Sequence, residues 1–277
     1  MLYCLPMLDL VAQTADDLPP LLGPDDPPPF EVLNPDGSAS VLLICDHASR
    51  VVPRALDNLG LDDEDMGRHV AWDIGAEAVA RPLSARLDAA TVLCGYSRLV
   101  IDVNRQPGDA QSIPAISDDV TVPANQGLGE AEQQRRIDAI FWPYHQAVTA
   151  AQTHLWRRGA APVLLSVHTF TPTLGDEQRE WDIGVLWNRD PRLAVPLMEA
   201  LRAVGDFNVG DNLPYSGREI AYSIDLHGGT AGLANCAIEI RQDLVENEDG
   251  AEHWARVLDA CLEEILPRDA LHQVEHY

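Results

Sequence analysis

Two continuous apolar runs, each ending in a histidine, constrain this chain more than any other feature. Val41-Leu42-Leu43-Ile44-Cys45 runs into Asp46-His47-Ala48-Ser49, and Val163-Leu164-Leu165-Ser166-Val167 runs into His168. A run of this kind, without alternation of polar and apolar positions, fits a strand covered on both faces, as in the parallel centre of an α/β sheet. Such sheets collect ligands and reacting groups just beyond the carboxyl ends of their strands, where both histidines stand. One histidine after a strand is commonly a hydrogen-bonded structural residue. Two of them raise the idea of a single metal site fed by both strands.

The chain has 277 residues, enough for one large domain or two small ones, and its 46% hydrophobic content supplies a substantial core. A formal charge of -25 argues against nucleic-acid binding through phosphates. All 19 basic residues are arginine, which excludes lysine Schiff-base chemistry and the lysine-dependent phosphate loop. Cys4, Cys45, Cys94, Cys236 and Cys261 are scattered and form no Cys-x-x-Cys pair. They read as reduced, buried thiols of a cytoplasmic protein. No basic residue precedes Arg50, so the positive start of a signal peptide is missing. No apolar run approaches the ~20 residues of a membrane helix.

Residues 1–39 are acidic and punctuated by eight prolines, among them Pro27, Pro28 and Pro29. This density excludes helix and central strand. It leaves an extended arm on the domain or on a partner subunit, the route to a homo-oligomer, or else a disordered tail. Residues 40–277 form the remaining domain. Thr91–Gly95, Leu99–Val103, Ile183–Trp187 and Asn235–Arg241 read as strands. Helices are expected after Asp73 (with Ile74, Ala78, Leu83 and Leu87 inward), over 129–158 with a kink at Pro143, over 191–204, and around Trp254–Ile265. His145 and His154 read as ordinary surface or core residues. His227-Gly228-Gly229-Thr230 reads as a loop and a candidate lid.

Four positions stand out chemically. Asp73 opens a helix and is either an N-cap or a site residue. Arg98 and Arg105 flank the run Leu99–Val103. They either pair with Asp73 or Asp102 or offer a planar fork to an anionic ligand. Glu239 places a carboxylate in an apolar strand, which is costly unless it is paired or used.

Taken together, Cys45–Ser49, Ala71-Trp72-Asp73-Ile74-Gly75, Ser97–Arg105, Ser166-Val167-His168-Thr169-Phe170 and Ala237–Asp243 resemble the N-formylglutamate amidohydrolase family over roughly residues 40–245. That family is distantly similar to zinc carboxypeptidases and aspartoacylases. The resemblance implies one three-layer α/β domain of the phosphorylase/hydrolase-like, zinc carboxypeptidase-like kind, with a mixed, largely parallel sheet and one zinc at its strand ends. It implies His47, Asp73 and His168 as metal ligands and Asn104 and Arg105 as the grip on a substrate carboxylate. It further implies Glu239 as the glutamate working beside the metal and Arg98 as the polariser of the scissile carbonyl. The implied activity is hydrolysis of the amide of an N-formyl or N-acyl amino acid such as N-formylglutamate. A zinc peptidase, another acyl-amino-acid hydrolase, or a non-catalytic metal- or ligand-binding protein would fit the same residues.

Overall fold

A computed structural model describes residues 14–277, so Cys4 and the start of the expected arm lie outside the described residues. The two apolar runs are strands. In chain order the main sheet contains β1 (Phe30–Leu33), β2 (Val41–Cys45), β3 (Ala90–Cys94), β4 (Val163–Phe170), β5 (Ile183–Leu186), β6 (Val209–Asp211) and β7 (Asn235–Arg241). These seven lie in the order β1-β3-β2-β4-β7-β5-β6. β3, β2, β4 and β7 are mutually parallel, while β1 pairs antiparallel with β3 and β5 antiparallel with β7. Phe30–Leu33, within the proline-rich segment, is thus an edge strand of the domain, where prolines at Pro27, Pro28, Pro29 and Pro35 interrupt no central ladder.

Both faces of the sheet are covered, which is why its central strands carry no alternation. Val41, Leu43 and Cys45 point toward a core shared with helices α1 (Ala76–Leu87), α3 (Pro191–Val204) and α4 (Glu248–Ile265). Leu42 and Ile44 point the other way, to a core shared with α2 (Trp142–Arg158) through Tyr144, Val148 and Leu155. The result is a single three-layer α/β domain. Cys45, Cys94, Cys236 and Cys261 are buried and free. Among the described residues, no helix is long and apolar enough to cross a membrane.

Several local expectations need correction. Leu99–Val103 is a run of turns, not a strand. Its carbonyls are taken by side chains instead of a ladder: Asn125 Nδ2 donates to Leu99 O at 2.8 Å and Arg136 Nη1 to Val100 O at 3.0 Å. The inward stripe of α1 is Ala76, Val79, Ala80 and Leu83, and Ala78 faces solvent. The helical stretch over 130–158 holds a π-helical segment at Ile137–Phe141, just before Pro143.

The expected lid at His227 is instead a π-helical turn, Asp225–Gly229, that buries His227 against His145. Their rings stack with centroids 5.1 Å apart. His145 Nε2 lies 2.9 Å from Val103 O and must donate to it. Its Nδ1 therefore accepts from His227 Nε2, 2.8 Å away, and this arrangement requires a neutral His145 ring. Burial lowers both pKa values, and charge on His145 further opposes charge on His227, which falls to about 4. An unfolded histidine titrates near ~6.5, so the unfolded chain binds protons first as pH falls. The stability carried by the pair is full above about pH 6.5 and lost toward pH 4, an effect of up to about 3 kcal/mol. Thermal melts from pH 7.5 to 4.5 should show this slope, and His227→Gln should flatten it. An identical slope in the variant would remove the pair as its cause.

Candidate metal and substrate site

The carboxyl ends of β2, β4 and β7 converge on a cavity of about 170 Å³. His47 follows β2 by two residues, and His168 lies near the end of β4 opposite Glu239 of β7 in parallel register. Asp73 arrives from the turn before α1. Its backbone N–H donates to His47 O at 3.0 Å, and Ala76 N donates to Asp73 O at 3.1 Å. Gly75 closes this turn with φ 85°, where a Cβ would meet Val245 Cγ2 at 2.5 Å, so only glycine fits. The position before α1 is therefore not used for capping. Gly75 occupies the N-cap, and Asp73 turns its carboxylate inward.

Asp73 Oδ2 sits 2.8 Å from His168 Nδ1 and 3.3 Å from His47 Nδ1. The ligand atoms of the three residues lie within 4.8 Å of one another, and all three side chains are buried. Two imidazole nitrogens and one carboxylate oxygen form a donor set suited to a borderline divalent cation. Each imidazole is also held from behind. His47 Nε2 lies 2.8 Å from Asp102 Oδ1, and His168 Nε2 lies 3.1 Å from Asp46 Oδ2 and 2.9 Å from Ser166 Oγ. A carboxylate behind each ring aims its Nδ1 inward and raises its basicity, the usual support of a metal-ligating histidine. His47, Asp73 and His168 could thus hold a metal ion.

The outer carboxylates are themselves satisfied. Asp46 accepts from Tyr144 Oη and Ser223 Oγ, each at 2.8 Å. Burial opposes its ionisation, but His168 and its other partners hold its carboxyl down at about 2. Asp102 accepts from Arg98 Nη2 at 2.8 Å and from Asn104 N at 2.9 Å. Arg98 also reaches Asp73 Oδ1 at 3.4 Å. The two options the sequence left for Arg98 resolve here into a pair with both aspartates. Burial alone would lower the pKa of each imidazole, yet the surrounding carboxylates raise both above the ordinary histidine value.

Glu239 is the exception in this network. It is buried, and its Oε2 has no hydrogen-bond partner among the described residues. Burial lifts its carboxyl to about 7; Asp73 adds to the rise, and His168, His47 and Arg98 oppose it. Arg105 lines the cavity without an ion pair among the described residues, in contrast to Arg98. Asn104 accepts from Ser223 N at 2.9 Å, which fixes the turn carrying Arg105. All seven residues singled out in the sequence therefore line one cavity. The loop over 108–128 is tied to its rim by Asp118, 2.6 Å from His69 Nε2.

Sequence reasoning missed Asp46, Ser166, Tyr144 and Ser223 as the support behind His168. The signal available was Asp46 itself, an acid placed at the end of an otherwise apolar run.

The family model for N-formylglutamate amidohydrolase matches residues 39–246. The chain belongs to the N-formylglutamate amidohydrolase family. Among solved structures, it is similar to a gene product of Agrobacterium tumefaciens at 34% identity and a TM-score of 0.86, covering 89% of this chain and 98% of that one. It is also similar to an N-formylglutamate amidohydrolase from Ralstonia eutropha at 21% identity and a TM-score of 0.69, covering 88% of this chain and 98% of that one. At that identity the second likeness is one of fold. No curated protein matches the chain. Membership in the N-formylglutamate amidohydrolase family implies amidohydrolase activity.

Proposed function

We propose that the protein is a zinc-dependent amidohydrolase that converts an N-formyl or N-acyl amino acid, with water, into the free amino acid and formate or the corresponding acid. The observation that carries this is a buried imidazole–carboxylate–imidazole cluster with an unpartnered glutamate in register beside it. The N/O donor set favours zinc, and His47, Asp73 and His168 would hold it. The chemistry supplied by zinc there is Lewis-acid polarisation of the scissile carbonyl and acidification of water.

The chain's own residues do the rest. Glu239, whose carboxyl sits at about 7, is matched to taking a proton from water at neutral pH and returning it to the leaving amine. Arg98 acts through Asp73 and Asp102, which it holds in place against the two imidazoles. Arg105 grips the substrate carboxylate and so aligns the amide for attack.

The test compares an N-formyl amino acid with its C-terminal amide. Wild-type protein should prefer the acid, and Arg105→Ala should erase about 10- to 100-fold of that preference, the scale of one charge-assisted hydrogen-bonded contact. The loss should appear in KM if the grip only binds and in kcat as well if it aligns the amide. Equal wild-type rates on acid and amide would overturn the carboxylate-bearing substrate class.

A further inference from the structure

His145 and His227 are buried behind the cavity and line no part of it. Two buried imidazoles cost free energy unless their nitrogens are bonded, and an apolar pair of the same shape would fill the space without that cost. Their bonds lead to the substrate grip. His145 Nε2–H donates to Val103 O at 2.9 Å, and Val103 directly precedes Asn104 and Arg105. His227 Nε2–H fixes the His145 tautomer that can donate there, through its 2.8 Å contact with Nδ1. Each histidine is aimed by a π-helical turn: His227 lies within Asp225–Gly229, and His145 follows Ile137–Phe141 by one turn. An extra residue in a helical turn redirects the side chains around it, and such turns recur at functional sites.

The turn that carries Arg105 is held from two sides. On the cavity side, Asp102 accepts from Asn104 N at 2.9 Å through Oδ1 and from Arg105 N at 3.2 Å through its carbonyl. On the far side stand His145 at Val103 O and Ser223, whose N–H donates to Asn104 Oδ1 at 2.9 Å and whose hydroxyl reaches Val103 O at 3.4 Å. Ser223 and His227 belong to one continuous helical segment over 222–229. Gln152 Nε2 of α2 donates to His227 O at 3.1 Å and pins that segment to the helix bearing His145. Asp102 is already committed to His47 and Arg98. The histidine pair, by contrast, makes no hydrogen bond to His47, Asp73 or His168, so it supports the Arg105 turn independently of the metal cluster.

We infer that His145 and His227 are positioning residues for the substrate grip, holding the carbonyl before Asn104 so that the Arg105 guanidinium is preorganised for a carboxylate. This rests on the amidohydrolase reading in which Arg105 takes the substrate carboxylate. The test compares kcat/KM of zinc-loaded protein on an N-formyl amino acid and on its C-terminal amide, for wild type, His145→Phe, Arg105→Ala and the double variant. His145→Phe keeps a ring but loses the donor, and it should erase about 3- to 10-fold of the preference for the acid, the scale of one neutral hydrogen bond. His145→Gln, whose side-chain amide can donate to Val103 O, should recover most of that loss. In the Arg105→Ala background His145→Phe should cost nothing further, because residues that act through one contact do not add. If His145→Phe fails to fold, His227→Phe keeps the stacked ring and removes the Nε2–H. It should give a smaller loss with the same lack of additivity. A folded variant with wild-type preference, or a loss repeated in full in the Arg105→Ala background, would overturn the inference and leave the substrate grip standing. No preference for the acid in the wild type would overturn both.

Discussion

Replacing Glu239 with glutamine should leave the fold and the metal in place and lower turnover by about 10²–10⁴-fold, the scale of a lost general acid–base group. The amide has the shape of the carboxylate but cannot carry a proton. In the folded protein Glu239 makes no hydrogen bond through Oε2 and lies outside the cluster of His47, Asp73 and His168. The substitution therefore removes no structural contact from that atom, and it replaces a buried ionisable group with a neutral one. Stability should hold or rise slightly, because burial is the first cause of the carboxyl's shift to about 7. Single-turnover kinetics alongside a metal assay and a thermal melt would check this. Turnover within a factor of a few of wild type would rule Glu239 out as the proton carrier.

His168→Ala should lower zinc affinity by more than about 100-fold, beyond the roughly 10–100-fold typical of losing a residue that only supports a ligand through a hydrogen bond. The alanine removes one of three ligands and dissolves the contacts that join Asp46, Ser166 and Asp73 through the imidazole. It also leaves two buried carboxylates short of a partner, a change that costs about 3–5 kcal/mol when a buried pair is broken. His168→Gln keeps an amide donor for one of them and separates folding from metal binding. If a folded His168→Ala retains zinc at wild-type affinity, the ligand assignment is wrong.

Much of the sheet was legible because burial on both faces writes itself as an unbroken apolar run. Val41–Cys45 and Val163–Val167 could hardly be anything else, and Glu239 stood out because an acid inside Asn235–Arg241 needs a reason. The three residues that could hold a metal were legible through the order of short motifs more than through spacing. Asp73 alone allowed an N-cap, and only the inward turn enforced by Gly75 and the contact with His168 excludes it.

Leu99–Val103 misled for a physical reason. Its composition is that of a buried strand, but its backbone is satisfied by Asn125 and Arg136, residues about 26 and 36 positions away whose reach leaves no local trace. The His145–His227 pair was equally invisible, since 82 positions separate its members and neither has a ligand-like neighbour. The edge strand Phe30–Leu33 was masked by prolines that tolerate an edge and forbid a centre.

The proposed amidohydrolase site depends on a metal held by His47, Asp73 and His168. The measurement that tests it most directly is formate release from an N-formyl amino acid by protein stripped with a chelator and then titrated with zinc. Activity should vanish in the stripped protein and return in proportion to zinc, reaching its plateau at about one equivalent per chain. Formate release at full rate from protein shown to contain no metal would contradict it.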